Sequence, residues 1–552
     1  MLERVVQAEA KISVLNPMGY PPKVTKKTAA ARLGSLDGKI IYLVDCRFDD
    51  SIELLKQVQA WFARHMPSVT TRMISLSSYY GHDDPKTWEE IKANGHGAIL
   101  GVGHCSTCAP AVATHAITLD TKYGVPTVAM HTDKFDRVVR SVTRVGGLPN
   151  LPCVYVPQPV MGKSAAELQA YVEGTDPITG RAVMEEVVEG LTRGLAADTA
   201  APADRSTPRL VEPDTEANLH KLFLANHWTD MLPIVLPTEE RVTQMLAHTS
   251  HKPDEVVGRM QPTANRGLWE YTVEKVAVNA VMAGASPEYF PVILALAASE
   301  VSARGSTSSS AAAMVVVNGP IRHEIEMNSG IGAMGPYNHA NATIGRAYGL
   351  LSQNLQGGSV PGETFMGSIG NNYTYNSITF AENEERSPWA PLHVQKGFKP
   401  EDSTVSIFYG CRSTSFCLGL REKHWQDHVR NMLRGMDSNT APCLLLDPIT
   451  ARQFIDRGAF DTKEKLIHWI YDNAVMPAGV YWDLQLVQNY LYPRATFGEE
   501  PLAGKLKADP DALIKIWKEA DINVVVLGGE SNGYWQMMGA TYRKTVSVDQ
   551  WR

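Results

Sequence analysis

Cysteine is scarce in this chain: seven among 552 residues, odd in number and irregularly spaced. Such usage excludes a secreted scaffold stapled by disulfides and points to a reducing compartment, the cytoplasm. Basic clusters are missing too. Nothing longer than Lys26–Lys27 occurs and the net charge is −7, so neither nucleic acid nor an anionic membrane is expected as a partner. No apolar run approaches the roughly 18 residues that a spanning helix needs. The opening MLERVVQAEAKISVL places Glu3, Glu9 and Lys11 where a signal peptide requires an apolar stretch. Internal repeats at a solenoid period are absent as well. What is present is an ordinary globular composition, 44% apolar and 20% charged. The chain is long enough for several domains, each able to bury its own core.

Composition divides the chain into four parts. Residues 1–33 are polar and basic with Pro21–Pro22 and read as an arm. Residues 34–194 alternate buried strands with amphipathic helices: KIIYLVD (39–45), the helix SIELLKQVQAWFARH (51–65), HGAILGVG (96–103), a helix through APAVATHAITLDTKY (109–123), and GVPTVAM (124–130). That alternation predicts a doubly wound parallel sheet. The stretch 195–214 is rich in Ala, Pro, Asp and Ser/Thr without periodicity and reads as a linker. Residues 215–552 read as a larger α/β domain that completes the active site. Its expected strands are 311–321, 403–410, 442–447 and 523–529, with a strand-loop-helix at the C-terminus and two helices over 272–301 broken at Gly284–Pro287.

The chemistry is expected at GVGHCSTCAPAVATHA. His104, Cys105 and Cys108 follow a buried strand and open a helix. In an open parallel sheet this is the crevice where ligands bind. The helix start favours thiolate through its dipole and free N–H groups. The CxxC spacing lets one sulfur resolve a disulfide formed by the other, and His104 can add charge or carry a proton. The bland alternative is that both thiols fill the inner face of the helix. A second CxxC is missing, so no zinc site is expected, and no cofactor is required.

These residues resemble a known family. Strand-GVGHCSTC-helix, then GVPTVAM, Phe135 and PQP (157–159), is similar to the UGSC family, named for a selenocysteine-Gly-Ser-Cys motif. By that match Cys105 stands at the selenocysteine position, Ser106 and Thr107 replace Gly-Ser, and Cys108 keeps the second thiol. The resemblance covers about residues 36–165 and continues into the second domain at TVEKVAVNAVMAG, NSGIGAMGPYNHANATIGRA and FAENEERSPWAPLHV. It implies selenol or thiol chemistry without fixing a substrate. The Cys-Ser-Thr turn also resembles one lobe of the aspartate/glutamate racemase superfamily, as a likeness of fold.

The second domain supplies polar residues in one Gly-dense stretch: Arg322, Asn328, Ser329, His339, Asn341 and Arg346. With Ser106 and Thr107 these are the candidate substrate-binding residues, Arg346 and His339 foremost for a carboxylate or phosphate. Glu382, Glu384 and Glu385 offer a general base or simply a solvated charge run. GCRSTSFC (410–417) could bind an anion, and LGGESNGYWQ (527–536) could hold phosphate although it lacks the dinucleotide and P-loop patterns.

Three functions follow, in this order. The first is an enzyme with Cys105 as covalent nucleophile on a small polar or anionic substrate, making or breaking a carbon–heteroatom bond as a lyase or transferase. The second is a thiol–disulfide oxidoreductase cycling Cys105 and Cys108. The third is a soft-metal or organometal binder. The expected partner is a small molecule, and a homo-oligomer is compatible with the exposed Gly-rich turns. Catalysis is expected where the turn at 101–108 faces the stretch 328–346.

Overall fold

The structure is a computed structural model. It describes residues 10–195, 207–260, 268–304, 310–335, 337–356 and 369–552.

The N-terminal domain is a doubly wound α/β unit. Its strands are β1 (Ile40–Asp45), β2 (Thr70–Ser75), β3 (Gly97–Gly103), β4 (Thr127–Thr132) and β5 (Cys153–Val156). They form one all-parallel sheet in the order β2-β1-β3-β4-β5. Successive side chains of a strand point to opposite faces, and the core divides accordingly. Ile41, Leu43, Ile99 and Val128 pack on α1 (Ser51–His65) and on two later helices, Ala165–Glu173 and Val183–Thr192. Tyr42, Val44, Ala98 and Leu100 pack on the opposite side, on α2 (Pro85–Asn94) and α3 (Cys108–Tyr123). Covered on both faces, β1, β3 and β4 read as continuous apolar runs, which is why the sequence exposes them. It does not expose β2, a half-exposed edge strand of sequence TTRMIS, nor the four-residue β5.

The order β2-β1-β3-β4-β5 reverses direction between β1 and β3. Loops leaving those two strands diverge to opposite faces, and the crevice between them is the ligand site of such sheets. The turn that follows β3 is His104–Thr107.

The rest of the chain builds two further sheets that pack face to face. One has the order β17-β10-β8-β9, formed by β8 (Ala312–Asn318), β9 (Thr379–Ala381), β10 (Thr404–Cys411) and β17 (Thr541–Ser547). The other has the order β11-β16-β12-β15, formed by β11 (Thr414–Leu418), β12 (Pro442–Leu446), β15 (Asn523–Val526) and β16 (Tyr534–Gly539). Met314, Val316 and Phe408 of the first meet Cys443, Leu445, Val525 and Met538 of the second. The outer face of the first sheet, through Ala313, Val315 and Val317, packs on the helices Val273–Met282, Phe290–Ala298 and His339–Gln356. The outer face of the second, through Leu444, Leu446 and Val526, packs on helices between Trp425 and Leu506. Helix, sheet, sheet, helix makes four layers. Among the described residues two small antiparallel pairs complete the strands, β6 (Val256–Met260) with β7 (Trp269–Thr272) and β13 (Val475–Pro477) with β14 (Leu513–Lys515).

Two boundaries differ from the sequence reading. The expected C-terminal helix after 529 is the strand β16, and its alternating Trp535, Met537 and Gly539 bury one face while pairing with β11 and β12. The arm does not stand apart. Val14 and Leu15 are buried in the core of the second body, Ile12 and Leu15 bridge to Asp214 and Leu210, and Lys275 Nζ donates to Asn16 O at 2.7 Å. Farther along, Ala30 N donates to Asp120 (2.8 Å) and Arg32 pairs with Asp120 at 2.7 Å, both buried in the N-terminal domain. One segment therefore stitches both bodies. Of the expected linker, 196–206 lie outside the described residues, and 207–214 are held by the arm.

Candidate active site

Cys105 sits two residues ahead of Thr107, the cap of α3, and Thr107 makes no side-chain capping bond. The first N–H groups of a helix lack intrahelical partners. One of them, Cys108 N–H, donates to Cys105 Sγ at 2.9 Å. Cys105 and Cys108 are joined by a disulfide with Cα atoms 4.9 Å apart. Cys105 is half-buried, whereas Cys108 and Ser106 are buried. A more accessible sulfur with an N–H aimed at it, backed by a buried sulfur one turn on, is the geometry of an attacking and a resolving thiol. Cys153 and Cys443 are different. Burial pushes the thiols of Cys153 and Cys443 up to about 12.

Around the pair, the carboxyl ends of the strands collect buried polar atoms without partners. His104 Nε2, Thr132 Oγ1 and Gln158 Oε1 have no hydrogen-bond partner among the described residues, and the buried His131 ring lies against the backbone of Gly103. His131 and Thr132 end β4, and Gln158 follows β5, so all belong to one edge of one sheet. Unpaired buried polar atoms cost about 1–3 kcal/mol each, and these gather at the switch-point crevice, the place where α/β sheets bind ligands. Burial pushes the His104 imidazole down to about 4, against a smaller opposite pull from Asp50. Burial takes His131 to about 3, the Gly103 backbone opposing. Both rings are neutral at pH 7. His104 therefore does not supply the positive charge expected of it; the N–H of Cys108 is the polarising group.

The opposite wall comes from the loop after β1, in which Arg47 and Asp50 adopt left-handed backbone conformations (φ 62° and 52°). Asp45 holds this loop by accepting from Arg47 N (2.8 Å) and Ser75 Oγ (3.0 Å). The Phe48 ring stands between Tyr80 (4.7 Å) and His104 (6.3 Å). On its outer side the loop meets the C-terminal body. Gln485 Nε2 donates to Asp49 at 3.1 Å, and the Arg47 guanidinium lies 4.7 Å over the Phe497 ring. Burial, and then Asp50, raise Asp49 to about 6. A cleft of about 460 Å³ runs beside this contact, with Ser77, Tyr79 and His82 on one wall and Arg494, Phe497 and Glu499 on the other.

The interdomain cleft exists, but the stretch 485–499 faces the N-terminal domain there, in place of the expected 328–346. The expected substrate-binding residues have other tasks. Arg346 pairs with Asp230 at 2.8 Å and donates to Pro233 O. Arg322 is buried between Glu384 (3.0 Å) and Glu385 (2.9 Å), and its hydrogen bond draws Glu385 down to about 2. His339 meets the Tyr289 hydroxyl at 3.3 Å. Asn341 binds Asn328 O and Ala333 O, and Ser329 O accepts from Gly528 N. A Gly-rich backbone needs such ties, and they engage the side chains of Arg322, Asn328, His339, Asn341 and Arg346. The charge run is not solvated throughout either, since Glu382 is fully buried against Lys463 at 3.0 Å. Arg412 of the GCRSTSFC turn pairs with Asp437 at 2.5 Å. Among the described residues no group of three or more His, Cys, Asp or Glu side chains is placed to hold a metal.

His131, Thr132 and Gln158 escaped the sequence reading. Their signal was positional: His131 ends its strand as His104 follows its own, each at the carboxyl edge.

Residues 13–192 match the model of the UGSC family. The N-terminal domain is similar to the UGSC family. The match runs from the arm to the last helix of that domain, Val183–Thr192, so the UGSC unit includes the segment that crosses into the second body. No curated protein and no solved structure matches the chain.

Proposed function

We propose that this protein is a thiol–disulfide oxidoreductase that cycles Cys105 and Cys108 on a small polar substrate held at the switch-point crevice. The observation that carries the reading is the pairing of a half-buried Cys105 with a buried Cys108 whose N–H donates to Cys105 Sγ. It moves this chemistry ahead of carbon–heteroatom bond formation, because the second-domain residues that favoured the latter are engaged elsewhere. In the reduced protein, the Cys105 thiolate attacks one sulfur of a disulfide substrate. The substrate S–S bond breaks and one thiolate leaves. The Cys108 thiol, losing its proton, attacks Cys105 Sγ, closes the bridge and expels the second substrate thiol. Two electrons pass to the substrate, and an external dithiol restores the pair.

The unpartnered polar atoms of His104, Thr132 and Gln158 favour a second reading, in which Cys105 adds to a carbon centre and Cys108 is dispensable. One experiment separates the two. The reduced protein is treated with an aromatic disulfide reagent and mapped by mass spectrometry. Wild type is expected to release both halves of the reagent and end oxidised at 105–108, whereas Cys108→Ser retains a mixed disulfide on Cys105. Iodoacetamide at pH 7 should label Cys105 well before Cys443. Equal labelling of those two, or no retained adduct in Cys108→Ser, refutes the cycle.

A further inference from the structure

Two Gly-rich stretches far apart in sequence, 330–335 and 527–533, converge in the C-terminal body. Gly528 N donates to Ser329 O at 2.8 Å, and Gly529 lies so close to Ile331 that a Cβ there would come within 2.0 Å of its side chain. Together they wall a cavity of about 310 Å³, at the low end of the range for small-molecule sites. It opens at the carboxyl ends of β12 and β15, which run parallel, the edge at which α/β sheets bind ligands.

Sequence alone suggested phosphate for these loops, and 330–335 reads G-x-G-x-x-G. Yet that run neither follows a strand directly nor opens a helix directly, as a dinucleotide turn must. The lining decides the ligand's charge. Among the described residues its one charged side chain is Asp447, which is 5% exposed. One carboxylate oxygen caps the helix Pro448–Gly458 through Thr450 N at 2.7 Å. The other, Oδ2, has no hydrogen-bond partner among the described residues, and neither has the buried hydroxyl of Thr450 on the same turn. Helix capping explains the first oxygen and leaves the second unsatisfied. An anion would meet this carboxylate with like charge; an ammonium group would satisfy it. The remaining lining is chiefly apolar, including Leu445, Leu527 and Trp535. At its mouth the exposed rings of Phe416 and Tyr534 stack with centroids 5.7 Å apart.

We infer that this cavity is a second binding site, for a small molecule that carries a protonated amine on an aromatic or apolar body. The ammonium meets the Asp447 carboxylate and the body packs between the glycine turn and the Phe416–Tyr534 pair. The site shares no residue with the thiol pair, and its occupancy is independent of the redox reading.

The test compares tryptamine with indole-3-propionate, the same ring with opposite charge, on the full chain by ligand-observed NMR and calorimetry. Tryptamine is expected to bind and indole-3-propionate to bind at least about tenfold more weakly, the scale of one charge-assisted hydrogen bond. Asp447→Asn keeps a capping side chain and should cost tryptamine about tenfold or more. Phe416→Ala, at a ring that is 62% exposed, should weaken both ligands and serves as the second variant if Asp447→Asn fails to fold. Absence of tryptamine binding, equal affinity for the two probes, or unchanged binding in both variants overturns the site.

Discussion

At the residue scale, burial decides which groups can react. Cys443 and Cys153 are chemically the same as Cys105, but enclosure raises their thiols to about 12, while the N–H of Cys108 is aimed at the Cys105 sulfur. The same logic applies to the histidines. His104 and His131 are held neutral by burial, down to about 4 and 3. An unfolded histidine titrates near 6.5. The unfolded chain therefore binds more protons between the two values, and the stability that neutral burial represents is intact above about 6.5 and lost as pH falls through the folded values. Each ring contributes on the order of 3 kcal/mol of loss between pH 7 and pH 4. Asp49, raised to about 6, works in the opposite direction, its contribution fading as pH rises. Urea unfolding at pH 7 and pH 4.5 should show a net loss at the lower pH, and His131→Asn should flatten it. An identical pH slope in wild type and variant would contradict this account.

At the scale of elements, the thiol turn is placed by β3 and α3, and α3 is anchored by Asp120. This buried carboxylate accepts from Ala30 N and from Thr127 N at the start of β4, and pairs with Arg32. One residue thus ties the incoming segment, α3 and β4 together. Asp120→Ala leaves Arg32 buried without its counter-charge and should destabilise by about 3–5 kcal/mol. Differential scanning calorimetry should show a lower first transition, and hydrogen exchange should rise at 26–34 and at the start of β4. Protection unchanged in both segments would show that the pair is not an anchor.

At the scale of the whole molecule, the arm makes the two bodies interdependent. Val14 and Leu15 belong to the core of the second body although they precede the N-terminal domain in sequence. Burial lowers Lys275 to about 8, and its ammonium rests on the carbonyl of Asn16. Limited proteolysis within 195–214, the stretch that composition marks as a linker, should release fragments of about 20 and 40 kDa. These should co-elute in size-exclusion chromatography, because the smaller one keeps its arm in the larger one's core. Leu15→Ala should cost about 2–5 kcal/mol of stability and let the nicked fragments separate. Fragments that part without that substitution would refute the stitching role.

The sequence by itself determined the elements whose burial is complete. β1, β3 and β4 announce themselves as apolar runs, α1 is bounded at 51–65, and the second body's four principal strands lie where its apolar runs lie. It also located the CxxC at a strand-to-helix turn, because spacing and helix-start chemistry are local properties. Tertiary structure alone decided which polar groups were spent. Arg346, Arg322, His339 and Asn341 looked available only because Asp230, Glu384, Tyr289 and Asn328 lie distant in the chain or hidden within a turn. It alone gathered His131, Thr132 and Gln158 at one sheet edge, placed 485–499 against the N-terminal domain, and joined 330–335 to Asp447. A side chain's charge and reach are written locally, but its partner is set by long-range topology, which periodicity does not encode.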